Sequence, residues 1–403
     1  MKLLMVSATF PYPPTRGGTQ VRTFNLLRSL QAHEVTLVTQ VDDSIPAADL
    51  EALSQYVHLL KVFPKPQGAG RGGVIGKGVR FGRFLLQGTP PSVSANFSPA
   101  MLKWIEDLVA REVFDALTAE HCVNECYVSP LVQARVPKRV VNIHSSVYGT
   151  CLQQLASGTA EKPGRDRLNL SLLKRYEQQY CQKFTDLVVT TPDDAQQMRE
   201  LCPQRPVHVV TNGVDLAMFP LRQADPGGRH LVFIGAMDNL PNIDAATFLA
   251  REIFPHVRQH YPLAKLSLVG SRPTAEVQAL KALPGVEVTG RVPSMVDFLH
   301  LGTVCVIPMR AGYGIKNKTL EAMAAGIPVV ASDRGLEGLT VDGDGVPLRA
   351  LRANTVDEYV TAIQQLFEKP ECRATLSANA RTMIEADFTW QQAGQTYSQV
   401  LAG

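Results

Sequence analysis

The feature that most constrains this chain is an end-to-end alternation of short, unbroken apolar runs with helix-like patterns. Runs such as Leu3–Ser7, Val35–Thr39, Leu59–Phe63, Ala116–Glu120, Val140–Ile143, Leu187–Thr190 and Val207–Val210 are apolar at nearly every position, not at every second one. Strands of that kind are buried on both faces, and parallel sheets with helical crossovers require such strands. A second series lies at Leu231–Ile234, Lys265–Val269, Val286–Thr289, Val304–Ile307, Val329–Ala331 and Gly345–Leu348. Two series in 403 residues predict two doubly wound α/β domains. The stretch TPDDAQQMRELCPQRP separates the series within 191–213.

Composition narrows the class by exclusion. A formal charge of +3 is too balanced for a nucleic-acid binder. The seven cysteines lie at 122, 126, 151, 181, 202, 305 and 372 without a C-x-x-C pair. They read as buried or idle thiols in a reducing compartment. No apolar stretch approaches the ~20 residues that span a bilayer, and MKLLMVSATF stops at Pro11 and Tyr12 without a cleavage-site pattern. A cytoplasmic protein is expected.

Several nucleotide motifs fail. GKG at 76–78 lacks the Ser or Thr that comes after the lysine of a P-loop, and no G-x-G-x-x-G succeeds the first strand. No histidine–carboxylate spacing points to a metal. Strand one leads instead into a proline-rich loop, then Arg16, Gly17 and Gly18, and a helix from about Thr19. Adjacent glycines at a helix start let backbone N–H groups approach a phosphate, although a plain flexible turn has the same sequence.

The most informative stretch is 311–330, AGYGIKNKTLEAMAAGIPVV. Leu320, Met323, Ala324 and Ile327 mark the buried side of a helix that Gly326 ends, with Pro328 two residues on. Lys316 and Lys318 crowd its N-terminus, where cations are unfavourable. A surface pair of Lys318 with Glu321 would have the poorer orientation and contribute only tenths of a kcal/mol. An anion that the sequence does not supply, such as a diphosphate, accounts for both lysines. Glu321, one turn deeper, then accepts hydrogen bonds from neighbouring ribose hydroxyls.

This signature resembles the donor-binding segment of retaining, family-4-type glycosyltransferases of the GT-B fold, also called glycosyl transferases group 1. Gly17–Gly18, HEVTLVT at 33–39, His144 after VVNI, NGVD at 212–215 and FTW at 388–390 recur in the same order. GAMDNLPNIDA at 235–245 and GLEGL at 335–339 resemble a subgroup of bacterial exopolysaccharide-type sugar transferases. The resemblance implies two Rossmann-like domains with parallel sheets facing across a cleft. They are an acceptor-side domain at 1–192, joined by a returning terminal helix at 388–403, and a nucleotide-sugar domain at 193–387. Trp390, Ala393, Tyr397 and Val400 or Leu401 recur at helical spacing, so that terminal helix carries an apolar face.

The resemblance assigns catalytic roles to His144, Lys318 and Glu321. It assigns donor contacts to Gly17, Gly18, Gly235, Tyr313, Gly314, Ile315, Lys316, Asn317, Lys318, Thr319 and Glu321. It implies transfer from a nucleotide-diphospho-sugar to a small-molecule, glycan or lipid-linked acceptor, with retention, no cofactor and no metal. Two departures stand out: Tyr313 takes the place of the first motif glutamate, and GAMDNLPN lacks the usual Arg/Lys pair. Two other functions fit the same resemblance, a nucleotide-sugar epimerase and a non-catalytic sugar-nucleotide-binding partner. The glycine-rich, basic segment within 64–92 reads either as a surface loop or as an acceptor or membrane-surface contact through 65–86, at the inner membrane surface.

Overall fold

The structure is a computed structural model that describes residues 1–14, 17–66, 89–158, 160 and 162–403. The membrane-contact reading of 65–86 falls almost wholly outside the described residues, as does Arg16. Two compact units emerge, Met1–Thr211 with Ala393–Gly403, and Asn212–Gln392. These divisions lie beyond the expected 192/193 and 387/388 boundaries. The stretch expected to separate the two series holds a helix, Pro192–Leu201, capped by Thr191 at the Asp194 N–H, and the first sheet's last strand comes after it.

Among the described residues the first unit holds a seven-stranded sheet. Its strands are β1 (Lys2–Ser7), β2 (Glu34–Val41), β3 (Leu59–Pro64), β4 (Ala116–Glu120), β5 (Lys138–Asn142), β6 (Asp186–Val189) and β7 (Val207–Val209), ordered β3-β2-β1-β4-β5-β6-β7. Every pairing is parallel, with Leu3 opposite both Val35 and Ala116. The second unit's sheet has six strands: β8 (His230–Ile234), β9 (Lys265–Val269), β10 (Val286–Gly290), β11 (Val304–Ile307), β12 (Val329–Ala331) and β13 (Leu351–Arg352). They run in the order β10-β9-β8-β11-β12-β13, again all parallel.

The unbroken apolar runs bring burial on both faces. Leu4, Val6, Leu117 and Val141 are fully buried in the first core, as are Val232, Phe233, Leu268 and Val306 in the second. Each such side chain stabilises by about 1.5–3 kcal/mol relative to exposure. One expected strand is displaced: Gly345–Leu348 is irregular, and β13 lies at Leu351–Arg352. Pro347 has no N–H for a ladder, and Leu351 and Arg352 take the places opposite Val330 and Ala331.

Three helices position the candidate groups. They are α1 (Gly18–Ser29), α2 (Asn317–Ala325) and α3 (Trp390–Ala402). Helix α2 ends as expected, with Gly326 left-handed at φ 81°. Helix α3 buries Trp390, Ala393, Tyr397, Val400 and Leu401, and from Ala393 onward it belongs to the first unit. Among the described residues no helix is long and apolar enough to cross a membrane.

Candidate functional site

In a doubly wound sheet, ligands bind beyond the carboxyl ends of the strands where the strand order reverses. In the second unit that reversal lies between β8 and β11. Gly235 directly succeeds β8, Pro308 and Met309 succeed β11, and Lys318 in the first turn of α2 reaches both loops. Its ammonium donates to Asn242 Oδ1, lies 3.8 Å from Met309 Sδ, and stands 4.9 Å from the centre of the Phe233 ring. A Cβ on Gly235 would lie 2.9 Å from Asn242 Nδ2 and 3.2 Å from Lys318 Nζ, so a larger residue there would push on the ends of these two side chains.

Lys318 and Glu321 do not pair. Glu321 makes no hydrogen bond or ion pair among the described residues, so the surface-pair explanation does not apply. Burial raises the Glu321 carboxyl to about 7, only partly offset by Lys318. Burial likewise lowers the Lys318 ammonium to about 8, against the opposing pull of Glu321. Two half-buried ionisable groups one turn apart thus titrate near neutrality with no ion pair between them. Among the described residues no side chain caps the start of α2, which leaves the N–H groups of Asn317 and Lys318 available to a ligand.

Lys316 is placed differently, which corrects the expectation that its anion must come from outside the chain. Its ammonium is buried and donates to Glu337 Oε2 at 2.9 Å. The remaining predicted donor residues build the same corner. Ile315 is buried, Thr319 Oγ1 donates to the Gly335 carbonyl at 2.7 Å, and Asn317 Oδ1 accepts from Asn212 Nδ2 at 2.7 Å. Gly314 is left-handed at φ 72°, and Tyr313 precedes it in the loop.

In the first unit the order reverses between β1 and β4. Gly17 and Gly18 open α1 after β1, with the Gly17 carbonyl accepting from Val21 N–H at 2.9 Å. His144 lies two residues beyond β5, its Nε2 buried, without a hydrogen-bond partner among the described residues, and 3.9 Å from Glu120 Oε2. Burial lowers its pKa, so the ring is neutral at pH 7. It packs edge-on against His121, ring centres 5.3 Å apart. His121 itself is left-handed at φ 83°, an uncommon conformation for a non-glycine residue. Burial lowers its pKa to about 3. Its Nδ1 accepts from Val123 N–H at 3.3 Å, which leaves the ring proton on Nε2, 3.4 Å from Ser145 Oγ.

Beneath the histidines lies a network that sequence reasoning missed. Glu120 accepts from Thr118 at 2.5 Å, Tyr397 at 2.6 Å and Asn142 at 3.0 Å. Burial alone would raise the Glu120 carboxyl, but the hydrogen bonds it accepts hold it below its ordinary value. Arg22 donates to Asn142 Oδ1 at 3.0 Å and to the carbonyls of Val210 and Thr211 at 2.9 and 3.1 Å. The signal that could have found it is Glu120-His121 at the end of one apolar run and His144 at the end of the next.

Known proteins share this architecture. The model for Glycosyltransferase Family 4 matches residues 16–218, and that for Glycosyl transferases group 1 matches residues 228–369. The chain therefore belongs to the family 4, group 1 glycosyltransferases. It is 25% identical over 261 residues to a D-inositol 3-phosphate glycosyltransferase from Rhodococcus erythropolis, across 59% of this chain and 56% of that protein. The chain spans about half the length of the curated relatives it matches. Sucrose-phosphate synthase from Thermosynechococcus elongatus superposes with a TM-score of 0.70 at 18% identity, covering 100% of this chain and 99% of that one. HepE of Anabaena, solved with UDP and glucose, gives 0.66 at 13% identity, covering 100% of both chains. At these identities the two structures establish the fold, which is GT-B.

Proposed function

We propose that the chain transfers a sugar from a nucleotide-diphospho-sugar to an acceptor hydroxyl, with retention at the anomeric carbon and without a metal. The observation that carries the reading is Lys318 and Glu321 at the second unit's strand-order reversal, one turn apart and unpaired. The Lys318 ammonium and the free N–H groups of α2 suit a diphosphate, and a carboxylate one turn deeper suits two ribose hydroxyls. The HepE structures with UDP or UDP-glucose support the same class of donor.

In the reaction the bond between the anomeric carbon and the phosphate oxygen breaks and a bond to the acceptor oxygen forms. The acceptor's proton passes to the departing phosphate. Charge grows on the diphosphate as the sugar leaves, and a fixed ammonium with helix N–H groups stabilises that transition state. The Lys318 charge at that place supports a mechanism that does not depend on a divalent ion. In the first unit, neutral His144 with its buried Nε2 suits a contact to the donor sugar or its phosphate. The use of a nucleotide sugar fits a cytoplasmic location.

The test is incubation with a panel of nucleotide sugars, with and without candidate acceptors, in excess chelator. The expected result is acceptor-dependent release of a nucleoside diphosphate with a glycosylated product. An altered nucleotide sugar without acceptor would establish an epimerase instead. Activity that appears only on adding magnesium or manganese would overturn metal independence.

A further inference from the structure

An ammonium group has three protons to donate. Lys316 donates within the chain to the Gly312 carbonyl at 3.2 Å, the Gly314 carbonyl, and Glu337 Oε2 at 2.9 Å. The Lys316 and Glu337 side chains are only 9% and 5% exposed, so this pair is closed off from solvent. Glu337 is itself held, its other oxygen accepting from Arg334 at 2.5 Å. We infer that Lys316 and Glu337 form an internal clamp that positions the donor loop, and that Lys316 makes no contact with the donor's diphosphate.

The geometry explains why such a clamp is needed. Gly312 and Gly314 have φ of 119° and 72°, a backbone course that glycine permits but does not enforce. Lys316 draws both of their carbonyls onto one charged centre, which selects that course over the others open to two glycines. The same 335–337 stretch holds the first turn of α2 through the Gly335 carbonyl and Thr319 Oγ1 at 2.7 Å. Glu337 is therefore a positioning residue for the 312–314 loop, while the bond from Thr319 to the Gly335 carbonyl holds the turn that carries Lys318 without Lys316. A cation at the helix start costs little when the chain's own carboxylate neutralises it in place.

The inference rests on the second unit being the donor site, and the experiment separates the two. Lys316→Met, Glu337→Gln, the double variant and Lys318→Met are compared by thermal unfolding and by calorimetric titration with a nucleoside and its diphosphate. A clamp predicts that each single change at 316 or 337 lowers Tm and that the double variant is no less stable than the worse single one, since the two share one interaction. It also predicts that Lys316→Met leaves the preference for diphosphate over nucleoside within about twofold of the original, whereas Lys318→Met reduces it about tenfold or more. Additive losses of Tm, or a Lys316→Met variant that loses the preference as Lys318→Met does, would overturn the clamp. If the unaltered protein binds no nucleoside diphosphate, the donor reading fails, while the Tm comparison still decides the clamp.

Discussion

A lysine and a glutamate one turn apart on a helix ordinarily reach each other, yet Lys318 and Glu321 stay unpaired. Asn242 and the Phe233 ring hold the ammonium on the sheet side. This leaves two ionisable groups close to neutrality, with signs that can be worked out. Glu321, raised to about 7, is a strong acceptor for ribose hydroxyls only once pH rises through that value. Lys318, lowered to about 8, neutralises a diphosphate only below that value. Affinity for a nucleoside diphosphate should therefore rise through about pH 7 and fall above about pH 8. Glu321→Gln should flatten the acid limb, and Lys318→Met should flatten the alkaline limb while weakening binding by about 1.5–3 kcal/mol. Titration calorimetry across pH checks both; unchanged limbs in both variants would contradict the assignment.

The second lysine shows what a sequence hides at this scale. Its position at the wrong end of a helix was legible, and so was the need for an anion. The anion is Glu337, 21 residues downstream, and only tertiary folding brings it there. Glu120 was missed for a related reason. Its significance depends on β4 and β5 lying side by side, and adjacency of strands is not written in either strand.

Among elements, the legible parts were those fixed by local chemistry. Unbroken apolar runs placed Ala116–Glu120, Lys265–Val269, Val304–Ile307 and Val329–Ala331 at their observed bounds. Gly326 marked the end of α2 because left-handed backbone favours glycine. The run at 345–348 misled because Pro347 and the neighbouring Gly345 break a ladder that apolar content alone suggested. Helix α3 was legible through its apolar face, but not through Tyr397, whose hydroxyl donates to the fully buried Glu120. Tyr397→Phe removes one donor from a buried carboxylate and should cost about 1–3 kcal/mol. Deleting 393–403 removes that donor together with the buried Ala393, Val400 and Leu401, and should lower thermal stability further. Thermal unfolding measures both, and a truncated protein with an unchanged Tm would show the helix to be dispensable.

At the scale of the whole molecule, each unit repeats one plan: a parallel sheet, a reversal of strand order, and ionisable groups at the carboxyl ends beside it. The first unit offers neutral histidines over a buried carboxylate, and the second offers a cation, helix N–H groups and a carboxyl. The second unit's set suits the charged leaving group of the proposed transfer. Base, sugar and acceptor were not legible, since the resemblance puts Tyr313 in the place of its first motif glutamate and no other residue names the sugar. The central claim, that the second unit grips a nucleoside diphosphate, is tested most directly by a crystal structure with that ligand bound. The account predicts diphosphate oxygens within hydrogen-bonding reach of Lys318 and the first N–H groups of α2, ribose hydroxyls on Glu321, and Lys316 still held by Glu337. A nucleotide seated away from Lys318 and Glu321 would contradict it.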